Sequence, residues 1–524
     1  MSTAGHILWA DDEIDLLRSH VLFLENRGYQ VTCVTNGADA VEAVAQDDLV
    51  DVVLLDEQMP GMDGLETLAA IKQKRPDLPV IMVTKSEEEH LMDEALGGQI
   101  SDYLTKPVNP SQILLTCKRL LERIQLRNAR VSQDYMHRFN AISATLNSYT
   151  SFQEWISLYQ ELVHYDRQLE SDEGARQVLS DQYREANRVF GRYIEDVYPD
   201  WVAGYNSRSL DERPRLSHEV IPHWVIPQLN ADHPVIFFVI DCMRYDQWLE
   251  FESLLLPLFS IQTDFSIGIL PTATPYARNA IFSGLLPYEI HRRHPTLWQG
   301  ENGDEHSRNR HEETLLASCL ERFNQRDVSM RYRKLIGKED GRAFAQDVNH
   351  YLQADLNAIV VNFVDILAHS RADSDVIREL APDEQAYRAL TRTWFKHSWL
   401  YQSFQTLSRK DCTIIITTDH GAVRSLHGAK VRGDRNTSTA LRYKFGRNLW
   451  ADPRHAMIVK DPKAFGLPSG SAGDCYIIAK EDYYFVYPTN YHHYRNLYND
   501  SMQHGGASME EMILPVVTLR PRKS

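Results

Sequence analysis

Over residues 1–124, short apolar runs alternate with amphipathic stretches. The runs at 7–10, 52–55 and 80–83 are rich in β-favouring residues. Between them, 15–27 and 64–74 carry apolar residues at helical spacing. Apolar strands separated by helices predict a parallel sheet buried on both faces. From 111 to 173 there is no Gly or Pro, and Leu114, Leu115, Cys117, Leu120, Leu121 and Ile124 recur at helical spacing. Helical signals continue to about 198, broken by Gly174, Gly191 and then Pro199. This predicts several packed helices, not a flexible linker, with Phe139, Tyr149, Phe152, Trp155 and Tyr159 in their core. From about Pro222 the βαβ rhythm returns, with near-continuous apolar strands at 235–240, 359–364 and 413–418. The expected architecture is α/β in three parts. These are an N-terminal doubly wound domain (1–124), a central helical bundle (125–207) and a C-terminal α/β domain (208–524).

Length agrees with that division. At roughly 100–200 residues per domain, 524 residues exclude a single small binding module. No run of about 18 apolar residues occurs, so no membrane-spanning helix is expected. The start, MSTAGHILWADDE, lacks the basic and apolar regions of a secretory signal. Cys33, Cys117, Cys242, Cys319, Cys412 and Cys475 form no CxxC pair, which argues against a thiolate zinc site. Most lie in apolar or strand-like runs, so a reduced, cytoplasmic interior is expected.

The net charge of −16 taken whole argues against a nucleic-acid partner. Residues 1–124, however, hold 22 acids against 10 bases, and the remaining 400 hold 50 against 46. Partners therefore have to be considered domain by domain.

In parallel sheets, functional residues lie just beyond the carboxyl ends of the strands. In the first domain those ends carry Asp11-Asp12, Asp56 and Thr84, and Lys106-Pro107 follows a strand-like 102–104. Three carboxylates at one edge repel unless a hard cation sits among them, and oxygen-only ligands suit Mg²⁺. Three solvated loop acids would be the plainer reading; the placement of Thr84 and Lys106 at further strand ends argues against it. The motifs ILWADDE, VVLLDEQMPGMDG, IMVTKS and DYLTKP resemble the receiver domain of two-component response regulators over about 120 residues. The resemblance implies that Asp56 accepts a phosphoryl group from a sensor histidine kinase. It also implies that Asp12, Asp56 and the Gln58 carbonyl bind Mg²⁺, with Asp11 in support. Thr84 and Lys106 would contact the phosphoryl group, and Tyr103 takes the place of the switch aromatic.

The third domain repeats the pattern with a different ligand set. Its three apolar strands each end in an aspartate: Asp241, Asp365 and Asp419, the last followed by His420. His369, four residues after Asp365, would share a helical face with it. His504 lies in QHGGAS, where Gly505 and Gly506 leave room for the backbone. Asp and His together form the ligand set that Zn²⁺ and Mn²⁺ accept. After a strand-like 265–270 comes PTATPYAR, which offers Thr272 and Thr274 as hydroxyls and Arg278 as a cation. Arg278 is open to two readings, contact with a substrate oxygen or a structural salt bridge.

The order Asp241, Thr274, Asp365, His369, Asp419, His420, His504 resembles the alkaline phosphatase superfamily, in its nucleotide pyrophosphatase/phosphodiesterase-like branch. HGGASMEEMILP resembles the PglZ domain within it, over roughly 220–519. By that resemblance one zinc ion is held by Asp241, Asp419, His420 and Thr274, and a second by Asp365, His369 and His504. Thr274, ten residues before Gly284, has the spacing of the nucleophile, and a covalent phosphothreonine is implied. Sulfatases of the superfamily use a modified Cys or Ser, and monoesterases more often Ser, so a threonine favours phosphodiesters.

Residues 424–447 hold Arg424, Lys430, Arg432, Arg435, Arg442, Lys444 and Arg447 against Asp434. A cationic patch of this kind would draw a polyanion, and Tyr443, Phe445 and Trp450 could stack bases. A basic surface loop with core aromatics is the alternative. The HRRH run at 291–294 is a weaker signal.

As a whole the chain resembles PglZ-containing response regulators associated with control of type IX secretion. The expectation is a zinc-dependent phosphodiesterase acting on oligonucleotides, linear or cyclic, and a homodimer formed on phosphorylation. The rival expectation is a catalytically weak scaffold that binds a sigma factor or secretion component.

Overall fold

The computed structural model describes all residues except 1–3, 48, 85–99, 149–150, 170–171, 205–212, 231–232, 299–308, 435–437, 439, 470–472, 490 and 523–524. Arg435, Tyr149 and the expected boundary at 207/208 lie outside the described residues. The chain forms two compact units, Met1–Asp134 and Tyr135–Ser524. The division falls within one continuous helix, Pro110–Thr145.

In the first unit β1 (Gly5–Ala10), β2 (Tyr29–Val34), β3 (Val52–Asp56), β4 (Val80–Thr84) and β5 (Asp102–Thr105) form a parallel sheet in the order β2-β1-β3-β4-β5. Successive side chains of a strand point to opposite faces, and both faces here are covered. Ile7 and Trp9 of β1, with Val52 and Leu54 of β3, enter one core. Leu8, Ala10, Val53 and Leu55 enter the other. Alternation is thus invisible in the sequence, and the strands read as continuous apolar runs. Asp63 starts the helix Gly64–Lys74 by accepting from the Glu66 amide at 2.8 Å. That helix returns the chain to β4 and leaves Asp56 at the open sheet edge. β2 and the helix Gly37–Gln46 were not evident from the apolar pattern, because Tyr29–Val34 is only half-buried.

In the second unit the helices Phe152–Gln168 and Glu173–Ala203 precede the C-terminal α/β sheet. The expected breaks at Gly191 and Pro199 do not occur; one helix passes through both. At Gly191 a Cβ would lie 3.2 Å from the Lys480 Cγ, so the glycine serves close packing and not a turn. Pro199 stands near the helix end, where few downstream turns depend on the amide it lacks.

The principal sheet of this unit has six strands. Four run parallel in the order β10 (Thr413–Thr417), β6 (Val235–Ile240), β9 (Leu356–Val361), β8 (Met330–Leu335). The C-terminal strand Ile513–Pro521 and β7 (Phe259–Ile267) add antiparallel at the β10 side. Strands β6, β9 and β10 are entirely buried. Because β10, β6 and β9 are neighbours, the loops leaving their carboxyl ends lie side by side. The strand expected at 359–364 is displaced: β9 ends at Val361, and Phe363 and Val364 open the helix Phe363–Asp373. Asp365 therefore stands on the first turn of a helix, not at a strand end. The strand expected at 265–270 also ends earlier, at Ile267. Two three-stranded sheets and the ribbon Val423–Ser425 with Ser501–Gln503 lie between β10 and the C-terminal strand. No described helix is long and apolar enough to cross a membrane.

Candidate metal centres

At the edge of the first sheet, ligand oxygens of Asp11, Asp12 and Asp56 lie within 4.8 Å of one another. Asp11 and Asp56 are buried, whereas Asp12 is exposed and lines a surface pocket with Glu57, Gln58 and Asp63. Lys106 Nζ reaches Asp56 Oδ2 at 2.9 Å and Asp11 Oδ2 at 3.1 Å. Burial raises the Asp56 carboxyl above its ordinary range, against the pull of Lys106, and Asp11 and Asp12 add to the rise. A partly exposed trio of oxygens fits a hard divalent cation such as Mg²⁺. Thr84 Oγ1 donates to Glu57 Oε2 at 2.6 Å. Tyr103 is half-buried against the core that includes Ala10 and Leu55. Asp11, Asp12, Asp56 and Lys106 are therefore together, and Gln58 lines the same pocket as Asp12.

In the second unit the acids meet two sets of histidines. Ligand atoms of Asp241, Asp419 and His420 form one group within 4.8 Å, and those of Asp365, His369 and His504 a second. The first follows from β6 and β10 being neighbours. In the second, Asp365 and His369 stand one helical turn apart, with His369 Nε2 3.3 Å from Asp365 Oδ1. His504 arrives on the ribbon strand Ser501–Gln503, with Nε2 4.0 Å from Asp365 Oδ1. The His420 and His504 rings stack with centroids 4.2 Å apart, so the two groups are contiguous.

Asp241 Oδ1, Asp419 Oδ2 and His504 Nδ1 are buried without a hydrogen-bond partner. Burial raises Asp241 well above the carboxylate range, and Asp419 beside it adds to the rise. Orphaned buried oxygens of this kind are atoms that a bound cation would satisfy. Burial together with the His420 imidazole pushes His504 well below its ordinary range, toward the neutral form that ligates metals. Burial works against ionisation at Asp365, but His369 and His504 hold it down at about 2. Carboxylate and imidazole ligands in two sets of three, with orphaned oxygens, fit two zinc-type ions with open positions.

The two threonines are separated by geometry. Thr272 Oγ1 donates to the Gly506 carbonyl at 2.7 Å and accepts from the Gly505 amide at 3.2 Å, and so holds the loop of His504. Thr274 Oγ1 lies 2.9 Å from His420 Nε2. Thr274 opens the helix Thr274–Ser283, whose cap, Ala273, offers no side-chain acceptor to the first amides. Arg278 is fully buried and pairs with both Asp241 and Glu312, so the structural salt bridge of the two readings is the arrangement present. Gly506 is needed where it stands, since a Cβ there would fall 2.2 Å from the Arg442 guanidinium.

A cavity of about 610 Å³ opens on both groups, lined in part by Thr274, Lys334, Tyr443, Tyr498 and Gln503. The sequence reading missed Asn362, whose amide reaches Asp241 Oδ2 at 3.1 Å, and Glu312, which pairs with Arg278. Asn362 follows β9 directly and would have stood out had that strand been bounded at Val361. Lys334, near the end of β8, carried no motif.

The basic stretch is largely consumed by internal partners. Arg442 is buried against Glu511, and Lys444 is buried and donates to the Ser438 carbonyl at 2.9 Å. Arg424 pairs with Asp500, and Arg447 with Asp474 at 3.2 Å. The expected cationic patch over 424–447 is thus corrected: its paired arginines serve the fold. Of the aromatics, Tyr443 lines the cavity, Phe445 packs on Tyr476, and Trp450 lies under Arg432. His291 and His294 do not line this cavity.

Comparison with known proteins gives three family matches. Residues 220–519 match the BREX system PglZ alkaline phosphatase-like domain. Residues 7–118 match the response regulator receiver domain. Residues 125–202 match the PorX response regulator linker domain. The response regulator SaeR of Staphylococcus aureus (strain USA300) is 32% identical over 120 residues, or 23% of this chain and 52% of SaeR. The chain thus spans about half the length of the curated relatives it matches. Among solved structures, a Francisella response regulator 1452 receiver domain is 25% identical, covering 23% of this chain and 98% of that one at a TM-score of 0.22. A CheY-like receiver domain protein from Methanospirillum hungatei is 29% identical, covering 23% and 96% at a TM-score of 0.22.

Proposed function

The chain belongs to the PglZ alkaline phosphatase-like family, carrying a response regulator receiver domain and a PorX-type linker ahead of that effector, and from this premise we propose a phosphorylation-controlled, zinc-dependent phosphodiesterase. The observation that carries the proposal is the pair of three-residue ligand sets around one open cavity, with the Thr274 hydroxyl 2.9 Å from His420 Nε2. A closed structural zinc site would have four protein ligands and no cavity.

Asp241, Asp419 and His420 would hold one ion with Thr274, and Asp365, His369 and His504 would hold the other. When bound, the two ions offset the buried carboxylates and stabilise charge on the transferring phosphoryl group. Thr274 Oγ is the nucleophile. It forms a bond to phosphorus while the bond from phosphorus to the leaving alcohol breaks, and the proton given up by Thr274 ends on that alcohol. Water then cleaves the phosphothreonine ester and restores the hydroxyl. Arg278 is a positioning residue that orients Asp241 through its buried ion pair. The Tyr443 and Tyr498 rings beside the cavity suit the bases of an oligonucleotide, linear or cyclic.

In the receiver Asp56 accepts the phosphoryl group from a sensor histidine kinase. Asp12, Asp56 and the Gln58 carbonyl hold Mg²⁺, with Asp11 in support, and Thr84 and Lys106 contact the modified side chain. The added charge is a local event that Thr84 and Tyr103 convert into homodimer formation, within a cytoplasmic pathway that controls type IX secretion.

The test is a substrate panel with purified full-length protein and zinc. Bis-p-nitrophenyl phosphate and short linear or cyclic oligoadenylates are expected to be cleaved faster than p-nitrophenyl phosphate. Faster cleavage of the monoester would contradict the assignment.

A further inference from the structure

A second cavity, of about 630 Å³, lies between the helices Phe152–Gln168 and Glu173–Ala203 and the loops of the α/β domain. It shares no lining residue with the cavity at the metal ligands. Its size is that of a small-molecule site. We propose that it binds an organic cation carrying amine or guanidinium groups.

The charge balance of its walls is the first argument. Five arginines line it, each already held by a carboxylate. Arg244 pairs with Asp246 and Glu384, and Arg388 with Asp166 and Asp246. Arg176 pairs with Asp383, Arg184 with Asp181 and Asp482, and Arg424 with Asp500. Eight carboxylates share the same walls, and three of them, Glu173, Glu481 and Glu510, have no ion pair among the described residues. Glu510 accepts a hydrogen bond from Asn187 Nδ2 at 2.9 Å. Burial pushes the Glu481 and Glu510 carboxyls up, Glu510 to about 7.

An aromatic hydroxyl without a partner also lines the cavity. Tyr159 is 1% exposed, lines the cavity, and its hydroxyl has no hydrogen-bond partner. A buried hydroxyl without a partner is rare unless a ligand or water supplies one. Tyr159 and Tyr183 both line the cavity, and aromatic rings are favourable neighbours for a cation.

The cavity is also wired to the metal ligands. Gly421, next to His420, abuts two of its walls. A Cβ there would fall 1.9 Å from the Glu510 carbonyl oxygen and 3.3 Å from the Arg244 Cγ. Glu510 and Arg244 thus touch the loop carrying Asp419 and His420, so an occupant would bear on that loop. Binding itself does not depend on the phosphodiesterase assignment.

The experiment is calorimetric titration of spermidine into the full-length protein at 150 mM salt. One site per chain is expected, weakened about tenfold or more in Glu510→Gln and in Glu481→Gln, as loss of one buried charge partner implies. The two variants lie on different elements, and each is checked for an unchanged melting curve, so one that folds suffices. Absence of saturable binding would overturn the proposal. So would spermidine binding that is unchanged in the folded variants, or a dinucleotide occupying the cavity in place of spermidine.

Discussion

The two carboxylate clusters stand at equivalent places, each at the carboxyl edge of a parallel sheet, but differ in what offsets their charge. In the receiver Lys106 is already between Asp11 and Asp56, at 3.1 and 2.9 Å, and Asp12 is open to solvent. In the effector Arg278 pairs with Asp241, yet Asp241 and Asp419, 1% and 0% exposed, each keep a buried oxygen without a donor. The receiver arrangement tolerates a cation that comes and goes, as a reversible phosphoryl switch requires. The effector arrangement leaves buried carboxylate oxygens that a bound cation would offset. The same sheet geometry thus suits a switch in one unit and the proposed reaction centre in the other, according to burial and to the charges supplied by the protein itself.

The largest consequence is an asymmetry toward metal removal. A ligand present at about a thousand times its Kd stabilises the folded state by about 4 kcal/mol. Strong chelation should therefore lower the melting transition of the effector by that order and leave the receiver transition in place. Differential scanning calorimetry of the full chain reads both, and equal shifts would break the comparison.

A smaller effect separates the units by pH. His218, in the turn Ser217–Glu219, is driven by burial down to about 4 from its ordinary 6.5. Below 6.5 the unfolded chain takes up a proton that the folded effector refuses, until the pH nears 4. Its contribution is therefore intact above the unfolded value and is lost as pH falls, by about 3 kcal/mol in all. His218→Gln should flatten the acid limb of the effector transition and leave that of the receiver unchanged. An unaltered acid limb would refute this.

Much of the candidate site was legible because parallel strands buried on both faces read as apolar runs whose next residue is at the sheet edge. Asp56, Asp241 and Asp419 stand out for that reason. Asp365 was found with the wrong local structure. The run through Phe363 and Val364 is apolar in both the strand and the helix that follows, and periodicity cannot divide a buried strand from a buried helix. The roles of Arg278 and Arg442 were not legible, since their partners Glu312 and Glu511 lie 34 and 69 residues away. Gly191 looked like a helix breaker because its neighbour Lys480 is remote in sequence.

In the proposed mechanism Thr274, beside His420, attacks the phosphodiester. The direct measurement pairs zinc content with bis-p-nitrophenyl phosphate turnover for the natural chain and for Thr274→Ala. Two zinc ions per natural chain, metal retained in the variant, and turnover reduced on the order of 10⁴-fold are predicted. Near-natural turnover by a metal-loaded Thr274→Ala chain would contradict the account.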